Sequence, residues 1–155
     1  MAETRVQIDA DVVDTVLRPE RVLSGISAPW AGAQVTFFGV VRDLNQGQKV
    51  RAVSYDAFVP LCKNILEEIA REAVQKWGAQ GMQLVVLHRV GRLEVGEASV
   101  AIGVSTPHRD EAYQASRYVI EQIKVRAPIW KQEHYASGDS GWVKGHELCQ
   151  HEIHV

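Results

Sequence analysis

Two stretches of the chain place apolar residues at the spacing of an α-helix. Residues 61–78 repeat apolar positions three and four residues apart, and Gly78 is expected to end this helix. The second stretch, 108–127, has one apolar row, formed by Ala112, Ala115, Val119 and Ile123. Pro128 disfavours the helical conformation of Ala127, so this helix should end near Arg126 and continue as an extended segment.

Other segments have the alternating or β-branched pattern of strands. These segments are 5–8, 33–42, 50–58, 82–91 and 98–106. Gly39 suggests a bulge or a close backbone contact, and Gly96 fits a turn that joins the last two strands as a hairpin. We expect a helical turn or two at 20–23 and a mobile loop in the polar run 43–49. Several antiparallel strands with a few long helices indicate an α+β sandwich.

Composition indicates one cytosolic domain without a general attraction for polyanions. The chain has 155 residues, 46% of them hydrophobic, and a formal net charge of −2, so one core is expected and any anion site must be local. We therefore expect no nucleic-acid or membrane partner. No apolar run is long enough for a membrane span, and the start lacks the apolar stretch of a secretory signal. We divide the chain into one domain, 1–145, and a polar, histidine-containing tail, 146–155.

The start of the last helix has an unusual charge pattern. Thr106 is the expected N-cap, Pro107 suits the first helical position, and both His108 and Arg109 lie where the helix dipole is already positive. Their side chains could lean into solvent or pair with nearby acids. Alternatively, they form an anion site together with the free N–H groups of the helix.

The end of the same helix carries a second basic group. Lys124 and Arg126 lie in its last turn, where cations commonly complement the dipole. Lys131 lies beyond the break at Pro128, outside the helix, so the helix dipole does not explain its presence. Two ammonium groups brought close together repel, which favours the neutral, nucleophilic amine of one of them. Spacing alone does not show that the two lysines converge.

Two further segments need interpretation. Arg42 follows a strand and begins the polar run, which is a common place for a binding side chain, although a solvated arginine is an equally simple reading. The segment "HELCQHEIHV" resembles a metal-binding HExxH motif, but Gln150 occupies the position of the second histidine. We predict no metal site and no cofactor.

Four motifs in order, "FFGVVRDLNQG", "HRVGRLEVGE", "IGVSTPHRDEAY" and "IKVRAPIWKQE", resemble the MoaE family, the catalytic subunits of molybdopterin synthase, over about residues 5 to 145. The resemblance implies an α/β hammerhead-like fold with an antiparallel sheet and packed helices. It implies a homodimer that binds a small ubiquitin-like sulfur carrier ending in a Gly-Gly thiocarboxylate. The implied reaction transfers sulfur from this carrier to cyclic pyranopterin monophosphate and forms the dithiolene of molybdopterin.

The resemblance also implies roles for individual residues. Lys124 and Lys131 match the catalytic lysines of the family, and Arg42, His108 and Arg109 match its substrate-pocket residues. Leu61 replaces a methionine of the family pattern, and the segment 137–145 departs enough that no role is transferred to it. A non-catalytic dimeric module that binds a phosphorylated small molecule stays open as an alternative; it would need His108 and Arg109 but not both lysines.

The positions of these residues predict a shared site. His108 and Lys124 are 16 positions apart on one predicted helix, a separation of about 24 Å at the helical rise. One small pocket cannot contain both residues of the same chain. We therefore expect a homodimer with two composite sites, each built from Arg42, Lys124 and Lys131 of one chain and His108 and Arg109 of the other.

Overall fold

The computed structural model describes residues 5–144 and contains two sheets. The first sheet has the order β1-β5-β7-β2, and the second has the order β10-β8-β4-β3, with β6 paired to β4 and β9 paired to β8. The elements in chain order are β1 (Val6–Val13), α1 (Pro19–Gly25), β2 (Ala33–Val40), β3 (Leu44–Asn45), β4 (Gln48–Ala57), α2 (Val59–Trp77), β5 (Met82–Arg89), β6 (Gly91–Glu94), β7 (Ala98–Thr106), α3 (Arg109–Arg126), β8 (Ile129–Tyr135), β9 (Gly138–Asp139) and β10 (Val143–Lys144).

The first sheet is covered on both faces by helices. Successive residues of β5 point to opposite faces, so Leu84 and Val86 join the core beneath α2 and α3, whereas Val85 and Leu87 join the core beneath α1. The helix α1 lies very close to the sheet at Gly103, where an added Cβ would come within 2.5 Å of Val22 Cγ1. The end of β5 therefore carries side chains to both faces of this sheet.

The α+β class and both long helices are confirmed, and so is the helix end at Arg126. The bulge at Gly39 is confirmed by a register shift between Gly39 and Val40. The hairpin of β5 and β7 is also present, but the segment that joins these strands contains β6, which pairs with β4 in the second sheet. Most pairings are antiparallel, while β1 pairs with β5 in parallel.

Two local predictions are wrong. The run 43–49 is not a loop, because Gln46 and Gly47, with φ of 51° and 76°, form a tight turn between β3 and β4. Thr106 is not the N-cap of α3, and Pro107 is not its first residue, because His108 takes the N-cap position with an extended backbone. The Thr106 hydroxyl instead donates to the carbonyl oxygen of His108.

Within residues 5–144, none of the helices combines the length and the apolar character that a membrane span requires. The proposed tail 146–155 lies outside the described residues.

Candidate functional site

The end of α3 turns sharply into β8 and places a lysine on each side of the turn. The backbone of Ala127 is extended, with φ of −73° and ψ of 131°, and its N–H still donates to the carbonyl of Ile123. Lys124 lies exposed in the last turn of the helix, and Lys131 is the third residue of the strand.

A buried carboxylate holds the side chain of Lys131. Its Nζ lies 3.2 Å from Oε1 of Glu133, and the Lys131 side chain is 25% exposed. Glu133 is buried, and Asn45 of β3 approaches the same carboxylate oxygen at 3.5 Å. Lys131 and Glu133 lie on one face of β8 because they are two residues apart. The ammonium is therefore fixed in position while the side chain stays open to a ligand.

An aromatic pair lies next to Lys131. Tyr55 of β4 lies directly opposite Lys131 in the strand register, so their side chains are neighbours on one face. The Tyr55 ring meets the ring of His88 edge to face, with centroids 5.3 Å apart. His88 in turn lies close enough to Lys124 to feel its charge. We call Lys124, Lys131, Tyr55, His88 and Glu133 the lysine site.

His88 is neutral in this setting. Burial, to which the charge of Lys124 adds, lowers the pKa of His88 to about 4. The Nδ1 atom lies 2.9 Å from the carbonyl oxygen of Arg89, and a carbonyl only accepts, so Nδ1 carries the proton and Nε2 is an acceptor. The imidazole thus adds no second positive charge beside Lys124.

Arg42 is exposed and leads into the β3–β4 hairpin. The preceding Val41 is held on both sides, because its N–H donates to Glu97 and its carbonyl accepts from Gly96. Three residues after Arg42, Asn45 reaches Glu133. The hairpin therefore ties the segment that begins at Arg42 to the carboxylate that holds Lys131.

His108 and Arg109 lie at the opposite end of α3. Both are exposed, and they line a cavity of about 560 Å³ together with Gly32, Pro107, Asp110 and Tyr113. Gly32 lets the wall approach closely, since a Cβ there would lie 2.5 Å from the carbonyl oxygen of Pro107. Within residues 5–144, no side chain caps the first N–H groups of this helix. We call this group the helix-start site; its donors and cations suit an anion.

A single chain does not bring the two sites together. The helix α3 is continuous from Arg109 to Arg126, so its two ends are separated by roughly 24 Å at the helical rise. The structure therefore agrees with the premise of a shared site, while the shared site itself stays a prediction.

Three residues of the lysine site were not found by sequence reasoning. Tyr55 and Glu133 become neighbours of Lys131 only through the pairing of β4 with β8 and the alternation along β8. His88 did carry a signal, because an ionisable residue ends the apolar run "MQLVVL" of a buried strand.

A row of hydrogen-bonded polar side chains lies on the face of the second sheet that is opposite to the lysine site. The Oγ of Ser54 lies 2.6 Å from Nε2 of His134, whose Nδ1 lies 2.9 Å from Oδ1 of Asp139. Ser54 precedes Tyr55, and His134 lies three residues after Lys131, so strand alternation turns both away from the lysine site.

Known proteins share both the sequence pattern and the fold. The model of the family described as MoaE protein matches residues 12–126, a range that contains Arg42, His108, Arg109 and Lys124 but not Lys131. The molybdopterin synthase catalytic subunit of Synechococcus elongatus is 53% identical over 119 residues, covering 77% of this chain and 72% of that protein.

Two solved structures have the same architecture. The molybdopterin synthase of Staphylococcus aureus is 34% identical with a TM-score of 0.81, covering 86% of this chain and 96% of that one. A complex of subunits 1 and 2 of molybdopterin-converting factor from Helicobacter pylori contains a chain that is 21% identical with a TM-score of 0.63, covering 86% of this chain and 87% of that one. At 21% identity, the similarity to the Helicobacter pylori chain shows a shared fold only.

Proposed function

The chain belongs to the MoaE family, and on that premise we propose that it is the catalytic subunit of a molybdopterin synthase, acting in the cytoplasm in molybdenum cofactor biosynthesis. Its reaction transfers two sulfurs to cyclic pyranopterin monophosphate, one from the thiocarboxylated Gly-Gly terminus of each of two small ubiquitin-like carriers, and water converts each carrier terminus to a free carboxylate. The observation that supports the proposal is the arrangement of Lys131 opposite Tyr55 in the strand register, the edge-to-face contact of Tyr55 with His88, and the influence of the Lys124 charge on the pKa of His88.

The lysine site suits the reacting end of the carrier. A thiocarboxylate is an anion, and the ammonium of Lys131 has three donors, of which Glu133 engages one side. We assign Lys131 to holding the thiocarboxylate. Sulfur attack on the pterin side chain opens the cyclic phosphate and later expels water, so both steps require proton donors. We assign Lys124 as the acid and base of these steps, or as a transient acceptor of the acyl group of the carrier.

The helix-start site suits the phosphate of the substrate. Arg109 and His108 supply charge-assisted donors beside the uncapped N–H groups of α3. Arg42, which precedes the β3–β4 hairpin of the chain that supplies the lysines, adds a second guanidinium. Because the cavity and the lysine site lie at opposite ends of α3, we propose a homodimer in which each substrate is bound by the lysine site of one chain and the helix-start site of the other.

The test is a direct synthesis of the product. The full chain is incubated with cyclic pyranopterin monophosphate and a thiocarboxylated small subunit, and the dithiolene product is measured by mass. Lys124→Arg keeps the positive charge but cannot lose a proton, so we expect turnover to fall at least roughly 100-fold. The control Lys63→Arg changes an exposed lysine of α2 and should be silent.

Near-normal turnover of Lys124→Arg would show that this residue does not transfer protons. If the wild-type protein binds the pterin substrate but forms no dithiolene, the non-catalytic phosphate-binding module becomes the better account.

A further inference from the structure

A second cavity lies on the reverse face of the first sheet, away from both sites described above. It has a volume of about 500 Å³, is open to solvent on one side, and lies between the end of β1, the segment before α1, α1 itself and the end of β5. Its lining residues are Val13, Thr15, Val16, Leu17, Arg18, Arg21, Leu87 and Arg89. This volume is in the range of small-molecule sites.

The cavity is separated from the lysine site by the thickness of one sheet. His88 and Arg89 are consecutive residues of β5, so their side chains leave the strand on opposite faces. His88 faces α3 and Lys124, whereas Arg89 faces the α1 side together with Leu87. A ligand in this cavity would not compete with one at the lysine site.

Three guanidinium groups line the cavity, and none of its eight lining residues is acidic. Acids outside the lining hold two of them in place. Arg21 donates to Asp9 at 3.1 Å and lies 3.6 Å from Asp11, and Arg89, whose side chain is only 12% exposed, donates to Glu97 at 3.0 Å. Such anchoring orients the cations before any ligand arrives, which lowers the entropic cost of binding.

Much of the donor capacity of these arginines is unused among residues 5–144. Arg21 uses its Nε and Nη2 and Arg89 its Nη1, leaving Nη1 of Arg21 and Nη2 of Arg89 without a protein acceptor. The buried Nε of Arg89 also has no partner there. Arg18 forms no ion pair within the described part of the chain. A planar oxyanion satisfies such donors through paired hydrogen bonds.

The remaining wall is apolar, formed by Val13, Val16, Leu17 and Leu87. Inorganic anions gain nothing from such a wall, whereas an organic group attached to the anion does. We propose that this arginine cavity binds a small organic oxyanion, a phosphate monoester or a carboxylate, whose apolar body contacts the valine and leucine side chains. The proposal is independent of the function proposed above.

The test uses probes that share an aromatic ring and differ in their polar group: phenyl phosphate, benzoate and the neutral benzyl alcohol. Each is titrated into the full-length protein, and backbone amide shifts are recorded by NMR. We expect saturable shifts of Thr15, Val16 and Leu87 with one or both anions and weaker binding of the alcohol. The preferred anion identifies the natural ligand as a phosphate or a carboxylate.

Variants test whether probe binding depends on the arginines of this cavity or on the general charge of the surface. Arg18→Gln should weaken binding about tenfold, because one charge-assisted contact is lost, and Arg18→Lys should have an intermediate effect. Arg51→Gln removes an exposed arginine of β4 and should change nothing.

Three results would overturn the proposal. These are the absence of saturable shifts at millimolar probe, equal weakening by Arg18→Gln and Arg51→Gln, and shifts centred on His108 and Tyr113 instead. Benzyl alcohol binding as tightly as the anions would also reject the role of the arginines.

Discussion

At the scale of single residues, the buried His88 of the lysine site makes the stability of the fold depend on pH. His88 is held neutral in the folded protein, with its pKa lowered to about 4 chiefly by burial. In the unfolded chain the same side chain has its ordinary pKa near 6.5. Between these two values the unfolded state binds more protons than the folded state, so acid favours unfolding.

We predict that the free energy of unfolding decreases as the pH is lowered from about 6.5 to 4, by on the order of 3 kcal/mol from His88 alone. The comparison is urea unfolding of the wild type and His88→Gln at several pH values in this window. The variant loses packing against Tyr55 and is less stable overall, but its stability should depend less on pH.

Glu72 does not obscure this measurement. The guanidinium of Arg126 and the hydroxyl of Tyr118 lower the pKa of Glu72 to about 2. The stability that ionised Glu72 contributes is therefore complete above pH 4.5 and is lost as the pH falls below that value. Equal pH slopes for the wild type and His88→Gln between 6.5 and 4 would show that the histidine is not held neutral by the fold.

At the scale of elements, Arg126 joins the two long helices. Its Nη1 and Nη2 donate to the two carboxylate oxygens of Glu72 on α2, at 2.6 and 2.9 Å, and Tyr118 of α3 donates to the same group. The sequence placed this arginine in the basic cluster at the helix end. The structure instead directs it to α2, away from the lysines, where it fixes the end of the helix that carries Lys124.

We predict that Glu72→Gln lowers the free energy of unfolding by about 1–2 kcal/mol, because charge-assisted bonds to Arg126 are weakened at a partly exposed position. Glu68→Gln is the matched control. That carboxylate lies 3.6 Å from the same arginine and is 62% exposed, so we expect a change below about 0.5 kcal/mol. Thermal or urea unfolding at pH 7 distinguishes the two variants. Equal losses of stability would contradict the proposed role of the Arg126–Glu72 pair in joining α2 to α3.

The sequence predicted elements wherever a local repeat defines them. The apolar row of α3 and its break at Pro128 are local, and both were found. The β3–β4 hairpin was missed because its polar residues hide a two-residue turn, in which Gln46 takes a left-handed conformation that glycine usually adopts. The strand β6 was missed because its partner, β4, is distant in the sequence.

The same limit applies to the candidate site. Lys124, Lys131, His108, Arg109 and Arg42 were identified from motifs, and their catalytic roles stay predictions. The residues that surround the lysines were not identified, because β4 and β8 are far apart in the sequence and no short turn between them fixes their register. Tyr55 is the clearest case, since only the pairing of β4 with β8 places it opposite Lys131.

At the scale of the whole molecule, the length of α3 makes a shared site testable. We predict that a mixture of inactive Lys124→Ala and inactive Arg109→Ala proteins recovers activity after subunit exchange, because each heterodimer regains one intact site. Product formation measures the recovery. If activity is not recovered although subunit exchange is demonstrated, the site is not shared between chains, and the cations at the two ends of α3 have separate, structural roles.

The separation of the two halves along α3 also bears on inheritance. When a cell makes equal amounts of an intact chain and a chain changed only at Lys124, each mixed dimer keeps one working site, and total activity is roughly half. When the second chain is changed at both Lys124 and Arg109, each mixed dimer has no working site, and only the pure intact dimers, roughly one quarter, remain active. With the proposed shared site, an allele that damages both ends of one helix would thus lower activity below half, a dominant-negative effect, whereas either damage alone would leave about half.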